Sequence, residues 1–213
     1  SWSATSMTFN DLGTDTWIVT IQSDGDDGSS EFLFRDNNSN YDNKWARGAS
    51  ATLGSKTTWY AGGGNSNINE TNSKYYTFLT KDVGDGANSE GYVFEFSQNP
   101  ISISSVSNVG NGLASTAYTV TVGLSGTPDT DERVYVRYTA DNWSSSSVVE
   151  GDPSSNSIDI DIPGQSAAAS VQYYVFTSVT GISNSDADLA TISFDNNSGS
   201  NYSYYVESGS VTI

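Results

Sequence analysis

The chain contains no cysteine and no histidine. The first absence excludes disulfide staples and thiol chemistry, so cohesion must come from packing alone. The second removes Ser-His-Asp triads, Cys-His pairs and the commonest metal ligand. Basic residues are scarce as well: 8 Lys and Arg stand against 25 Asp and Glu, for a formal net charge of −17. Nucleic acid and anionic membrane surfaces are held by clustered Lys and Arg, so neither is an expected partner. No apolar run in the sequence approaches the ~20 residues of a membrane-spanning helix, and no membrane insertion is expected. A chain of 213 residues that opens on Ser1 without Met reads as a processed protein or a part of a longer polypeptide.

What the chain has in abundance is Ser, Asn, Asp, Gly and Tyr, the composition of an acidic extracellular or cell-surface protein. Alternation of apolar and polar residues dominates, and no stretch sustains a helical period. Residues 15–22 (DTWIVTIQ) put Trp17, Val19 and Ile21 on one face, and residues 31–35 (EFLFR) put Phe32 and Phe34 together. Residues 74–80 (KYYTFLT) and 91–97 (GYVFEFS) alternate in the same way. Gln98-Asn99-Pro100 reads as a boundary, because Pro fixes φ and lacks the ladder donor. Further strands are predicted over 117–124, 132–139, 157–162, 169–178, 189–194, 202–206 and 210–213. Many short antiparallel strands at this spacing predict an all-β chain of two tandem immunoglobulin-like β-sandwiches, residues 1–99 and 100–213.

Two stretches stand out for chemistry. Residues 194–205 (FDNNSGSNYSYY) run from a strand end through amides, Ser and Gly into a Tyr-rich strand. Alone, this pattern reads first as a hairpin turn and only second as a surface of hydrogen-bonding groups beside aromatic faces. Some fifty residues upstream, VYVRYTADNW over 134–143 places Val134, Val136 and Tyr138 inward and Arg137 outward, then sets Trp143 in an Asn- and Ser-rich loop. An indole face there suits the apolar C–H patch of a pyranose ring.

Together, VRYTADNW and DNNSGSNY resemble starch- and glycogen-binding modules of the family-21 carbohydrate-binding type, which carry V-R-Y-x-x-D-x-W and D-N-N-x-x-x-N-Y segments. The resemblance covers about 132–206. It implies that Trp143 stacks on an α-glucan and that Phe194, where the family often has Tyr, takes the aromatic place before Asp195. It implies further that Asn196, Asn197 and Asn201 hydrogen-bond sugar hydroxyls and that Tyr202 closes the motif.

In the first half, EFLFRDNNSNYDNKWARG and WYAGGGNSNI more loosely resemble starch-binding sandwiches of outer-membrane glycan-capture lipoproteins. That resemblance makes Tyr41, Trp45 and Trp59 candidate stacking residues and Asn43 and Lys44 candidate donors. The alternative is that Trp45 and Trp59 form a minor core under Gly62-Gly63-Gly64. The loop SDGDDGS over 23–29 offers Asp24, Asp26 and Asp27 to a calcium ion, although the EF-hand pattern is absent. No other cofactor is expected. Glycoside hydrolysis needs two carboxylates across a cleft, and Glu95 and Asp161, the carboxylates on strand faces, show no partner in the sequence, so no enzyme is expected. The expected function is non-catalytic binding of an α-glucan polysaccharide by a secreted or surface protein. The competing expectation is a structural or adhesive segment of a surface layer or stalk.

Overall fold

The computed structural model describes residues 5–10, 12, 15–23, 28–36, 43–107 and 110–208. The candidate calcium ligands Asp24, Asp26 and Asp27, the candidate stacking residue Tyr41, and the strand expected over 210–213 lie outside the described residues. The chain divides into two compact units, Ser1–Asn99 with Asp188–Ala190, and Pro100–Ala187 with Thr191–Ile213. Among the described residues the fold is all-β and antiparallel apart from one short parallel strand pair and an isolated parallel bridge between Ser50 and Asn67, and the helical content is a three-residue 3-10 turn, Asn184–Asp186.

The first unit is built from β1 (Thr8–Asn10), β2 (Thr16–Gln22), β3 (Gly28–Phe32), β4 (Phe34–Arg35), β5 (Lys44–Ala46), β6 (Thr57–Ala61), β7 (Ser66–Glu70), β8 (Tyr75–Lys81) and β9 (Ser89–Phe96). Seven of them form a sheet in the order β1-β2-β8-β9-β6-β5-β4, and β3 pairs with β7 as a second, smaller layer. The EFLFR stretch is therefore not one strand. The chain leaves one layer after Phe32 and enters the other at Phe34, and both rings meet in the space between, 5.8 Å apart.

Trp59 fills that space. It is fully buried, with Phe32 at 5.7 Å and Phe34 at 5.3 Å, among Phe78, Ile68, Tyr76 and Val93. This corrects its candidacy as a stacking residue: an indole with no exposed surface offers no face to a ligand. Gly91 on β9 admits the ring, because a Cβ there would stand 2.7 Å from Trp59 Nε1. Trp45 packs at the edge of the same cluster, half-buried, with its indole N–H donating to the Ala87 carbonyl at 2.8 Å.

The second unit comprises β10 (Ile103–Val106), β11 (Gly112–Leu113), β12 (Tyr118–Leu124), β13 (Glu132–Thr139), β14 (Ser147–Gly151), β15 (Ser157–Ile162), β16 (Ser170–Val179), β17 (Ser193–Asp195) and β18 (Tyr202–Glu207). A three-stranded sheet, β10-β12-β15, faces a six-stranded one ordered β11-β18-β16-β13-β14, with β17 also on β16. The alternating side chains of β12, β13, β15, β16 and β18 close one core: Tyr118, Val120, Val122, Val134, Val136, Ile160, Ile162, Val171, Tyr173, Val175, Tyr204 and Val206. Tyr118 and Tyr204 stack within it at 3.8 Å. The strand expected over 189–194 shrinks to Ser193–Asp195, because 187–192 is buried irregular chain held by its own bonds, such as Thr191 Oγ1 to the Ala187 carbonyl at 2.8 Å.

Glu132 is a buried carboxylate with a structural task. Its two oxygens accept the backbone N–H groups of Ile101 and Asp129, each at 2.8 Å. Burial pushes its carboxyl above the usual glutamate range, while these two donors oppose the shift. A raised folded-state pKa means that this group contributes most below its unfolded value, and that the contribution is lost as pH rises through the folded one.

Replacing Glu132 by Ala strands one buried and one half-buried donor, and we expect a loss of about 2–4 kcal/mol in urea unfolding. Trp59→Ala opens a cavity in the first unit and is expected to cost about 3–5 kcal/mol. An unchanged unfolding midpoint in either variant would contradict the role given to that side chain.

Candidate functional site

The site in the second unit starts from the register of β16. Its residues alternate, so Val171, Tyr173 and Val175 enter the core while Gln172, Tyr174 and Phe176 point to the opposite face. β13 pairs with β16 along Gln172–Val179 and takes one edge. β18 pairs along 170–173 and β17 along 175–177, so both lie on the other edge. Tyr173 faces Tyr202 and Val175 faces Asp195, which leaves Tyr174 skipped. The two strands are one edge strand interrupted at Tyr174 by the loop 196–201.

Trp143 comes to the same place from the other side. Thr139 ends β13, and its Oγ1 accepts the N–H groups of Asp141 at 3.2 Å and Trp143 at 3.1 Å. Asp141 ties the loop further: its carboxylate accepts from Thr139 Oγ1 at 2.7 Å, from Ser145 N–H at 2.9 Å and from Ser145 Oγ at 2.6 Å. The Ser145 hydroxyl and amide, with Thr139, hold the Asp141 carboxyl down at about 2. These bonds keep Asn142 and Trp143 at φ of 56° and 65°. Asn tolerates that left-handed geometry, but a bulky residue adopts it only where its surroundings enforce it.

The indole N–H of Trp143 donates to Gln172 Oε1 at 2.7 Å, and its ring lies 5.7 Å from Tyr174 at 32°. Gln172 in turn donates to Asn142 Oδ1 at 3.3 Å, and Arg137 donates to the Tyr174 hydroxyl at 3.3 Å and to Ser146 Oγ at 2.9 Å. Trp143 is half-buried, seated on the outward face of the six-stranded sheet.

Phe194 pairs with Phe176 across β17 and β16, so it stands on the same outward face as Trp143, also half-buried. Asp195 and Tyr202 are different. Tyr202 stacks on Tyr173 at 5.4 Å against the inner core, and its hydroxyl donates to Asp195 Oδ2 at 3.0 Å. Burial, then this bond, pushes the Tyr202 hydroxyl up to about 12. This pair clasps the two halves of the interrupted strand.

Within the loop, Asp195 Oδ1 accepts from Asn197 N–H at 2.9 Å, Asn196 Oδ1 accepts from Gly199 N–H at 2.9 Å, and Asn197 Nδ2 donates to the Asn201 carbonyl at 3.2 Å. Positive φ at Asn197, Ser198, Gly199 and Asn201 sets the turn. The amide side chain of Asn201 has no partner among the described residues, and Asn197 is exposed. The motif is thus both a tight turn and a carrier of spare amide groups.

Three contributors escaped sequence reasoning. Gln172 and Tyr174 sit in a strand that reads simply as apolar, and only the register shows which residues face outward beneath Trp143. Tyr205, 48 % exposed, stands on that outward face opposite Ser170, and its doubling with Tyr204 concealed which of the two was inward. In the first unit, Trp45 borders a cleft of about 750 Å³, and Asn43 donates to Asp36 at 2.9 Å. Glu95 accepts from the Tyr76 hydroxyl at 2.7 Å and Asp161 from Thr119 at 2.6 Å, so each strand-face carboxylate has a local hydrogen-bonding partner. Among the described residues no group of three or more acidic side chains is placed to hold a metal, and no helix is long and apolar enough to cross a membrane.

Compared with known proteins, the sequence matches no family model and no curated protein.

The anchoring role of Asp141 has a pH signature. Its depressed pKa means that the tie is fully present above the ordinary carboxylate value of about 3.9 and is lost as pH falls through about 2. The Trp143 indole N–H resonance is expected to stay dispersed down to pH near 3 and to collapse only towards pH 2, whereas Asp141→Ala collapses it at neutral pH. A resonance unmoved by Asp141→Ala would mean that the loop is held without this carboxylate.

Proposed function

We propose that this chain is a non-catalytic carbohydrate-binding region of a secreted or cell-surface protein, with starch-type α-glucans as its ligand class. One observation carries the reading: Trp143, against Tyr174, and Phe194, paired with Phe176, stand on the same outward face of the second unit, and the amide loop 196–201 interrupts the edge strand beside Tyr174. A sugar ring has C–H faces that cover apolar surface and hydroxyls that both donate and accept. Trp143 supplies a flat face that is already held by hydrogen bonds, so little ordering is left for the ligand to impose. Asn side chains carry a donor and an acceptor each, which matches a hydroxyl rather than an ion.

Charge supports an uncharged polymer. At a formal −17 the chain repels polyanions, and an α-glucan carries no charge. The V-R-Y-x-x-D-x-W and D-N-N-x-x-x-N-Y segments supply the resemblance that narrows the polymer to α-glucans. Binding at one such face is weak, because hydrogen bonds to sugar replace hydrogen bonds to water. Repeated engagement along a polymer raises it through effective concentration.

Native affinity electrophoresis in gels containing glycogen, amylopectin, laminarin or no polymer tests the reading. Retardation is expected in glycogen and amylopectin and not in the polymer-free gel, with Trp143→Ala losing the retardation due to the second unit. Unchanged mobility in every gel would overturn the carbohydrate reading, and retardation confined to laminarin would overturn the α-glucan assignment.

A further inference from the structure

The inward face of β2 in the first unit is not closed. Trp17, Val19 and Ile21 alternate onto the face that holds Trp59 and Phe78, yet Trp17 is 38 % and Ile21 40 % exposed. They form the floor of the cleft of about 750 Å³, with Phe32 and Phe78 behind them. The small β3–β7 layer covers only part of the seven-stranded sheet, so this floor is open where a sandwich would be sealed. Its volume lies within the range of small-ligand sites.

Polar groups stand at both ends of the floor. At one end, Ser23 continues the same alternation and is 6 % exposed, and its Oγ is buried without a hydrogen-bond partner among the described residues. A buried hydroxyl left unpaired carries a desolvation cost that a ligand group would relieve. At the other end, Trp17 lies opposite Thr80, and the chain continues through Lys81, Asp82 and Asp85 on the cleft wall. The side chains of Lys81, Asp82 and Asp85 have no partner among the described residues. From Trp17 to Ser23 the strand runs about 20 Å.

We infer that this cleft is a second ligand site, distinct from the Trp143 face, and that it takes an uncharged oligosaccharide several rings long. The exposed Trp17 indole on the floor, with Lys81, Asp82 and Asp85 along the lining and their side chains unpartnered among the described residues, presents donors and acceptors in one cleft. A ligand of fixed charge satisfies one sign and opposes the other. A polyhydroxyl ring uses both, and its C–H face covers Trp17. The length of the floor calls for a chain rather than a single sugar. The ligand class follows the carbohydrate reading of the second unit, but the site depends on none of its residues.

The experiment uses the full chain and soluble maltoheptaose, cellohexaose, laminarihexaose and xylohexaose, followed by titration calorimetry and by acrylamide quenching of tryptophan fluorescence. Trp143→Ala isolates the first unit. In that background at least one oligosaccharide is expected to bind and to shield Trp17 from acrylamide, and adding Trp17→Ala is expected to weaken binding by about tenfold or more. Because Trp17 also packs on Phe9, at 4.9 Å, the pair Lys81→Gln and Asp82→Asn serves as a second variant on exposed chain, expected to weaken the same binding without moving the melting temperature. Binding that Trp143→Ala abolishes completely overturns the cleft site and leaves the proposed function standing. Binding that survives Trp143→Ala and is lost with Trp17→Ala supports the cleft and removes the Trp143 face as the principal site. No binding of any oligosaccharide by the unmutated chain overturns both.

Discussion

The eight-residue pairing of β13 with β16 is the constraint on which the second unit depends. With no disulfide available, the register must be held by backbone hydrogen bonds and by the fit of alternating side chains. Val134, Val136, Val171, Tyr173 and Val175 set one face against the three-stranded sheet. A slip by one residue would expose all of them and bury Arg137 and Gln172. The same alternation therefore fixes, with no additional device, where Tyr174 and Gln172 stand to receive Trp143. Core and candidate site are two sides of one pairing.

Much of this was legible in the sequence, for a physical reason. Where a strand has one wet and one dry face its period is visible, and SIDIDI over 157–162 and ERVYVRYT over 132–139 match their strands end to end. The reading weakened where a second layer decides the outcome. Trp17 and Trp59 both sit in alternating strands and both point inward, yet one is 38 % exposed and the other fully buried. The difference is whether β3 and β7 reach over them, which no local pattern records. Short polar strands such as β7, SNINE, show no alternation to read, because their apolar content is a single Ile68. Residues 189–192, the part of the expected strand 189–194 that is irregular chain, read as strand because burial and extension look alike in composition.

In the candidate site, the residue types were visible and their division of labour was not. Asp195 and Tyr202 belong to the motif but hold the interrupted strand together from its inner side. Phe194, between them and the outward Phe176, turns the other way. Adjacent positions on a strand face opposite directions, so a linear motif of aromatic and amide residues necessarily mixes framework with surface. Exposure of Asn197 and the amide of Asn201, unpartnered among the described residues, then distinguish the groups open to solvent from those that hold the turn.

The interruption at Tyr174 has a consequence for how this surface can change. Loop 196–201 leaves β16 after Asp195 and returns at Tyr202, with both flanks already in register and clasped by the bond between them. Length and composition between those two points are decoupled from the alternation that builds the core. Residues there can be exchanged, added or removed while every inward side chain keeps its place. The fold thus carries an adaptable segment set into a fixed strand, in the manner of a hypervariable loop, at the edge of β16 beside Tyr174.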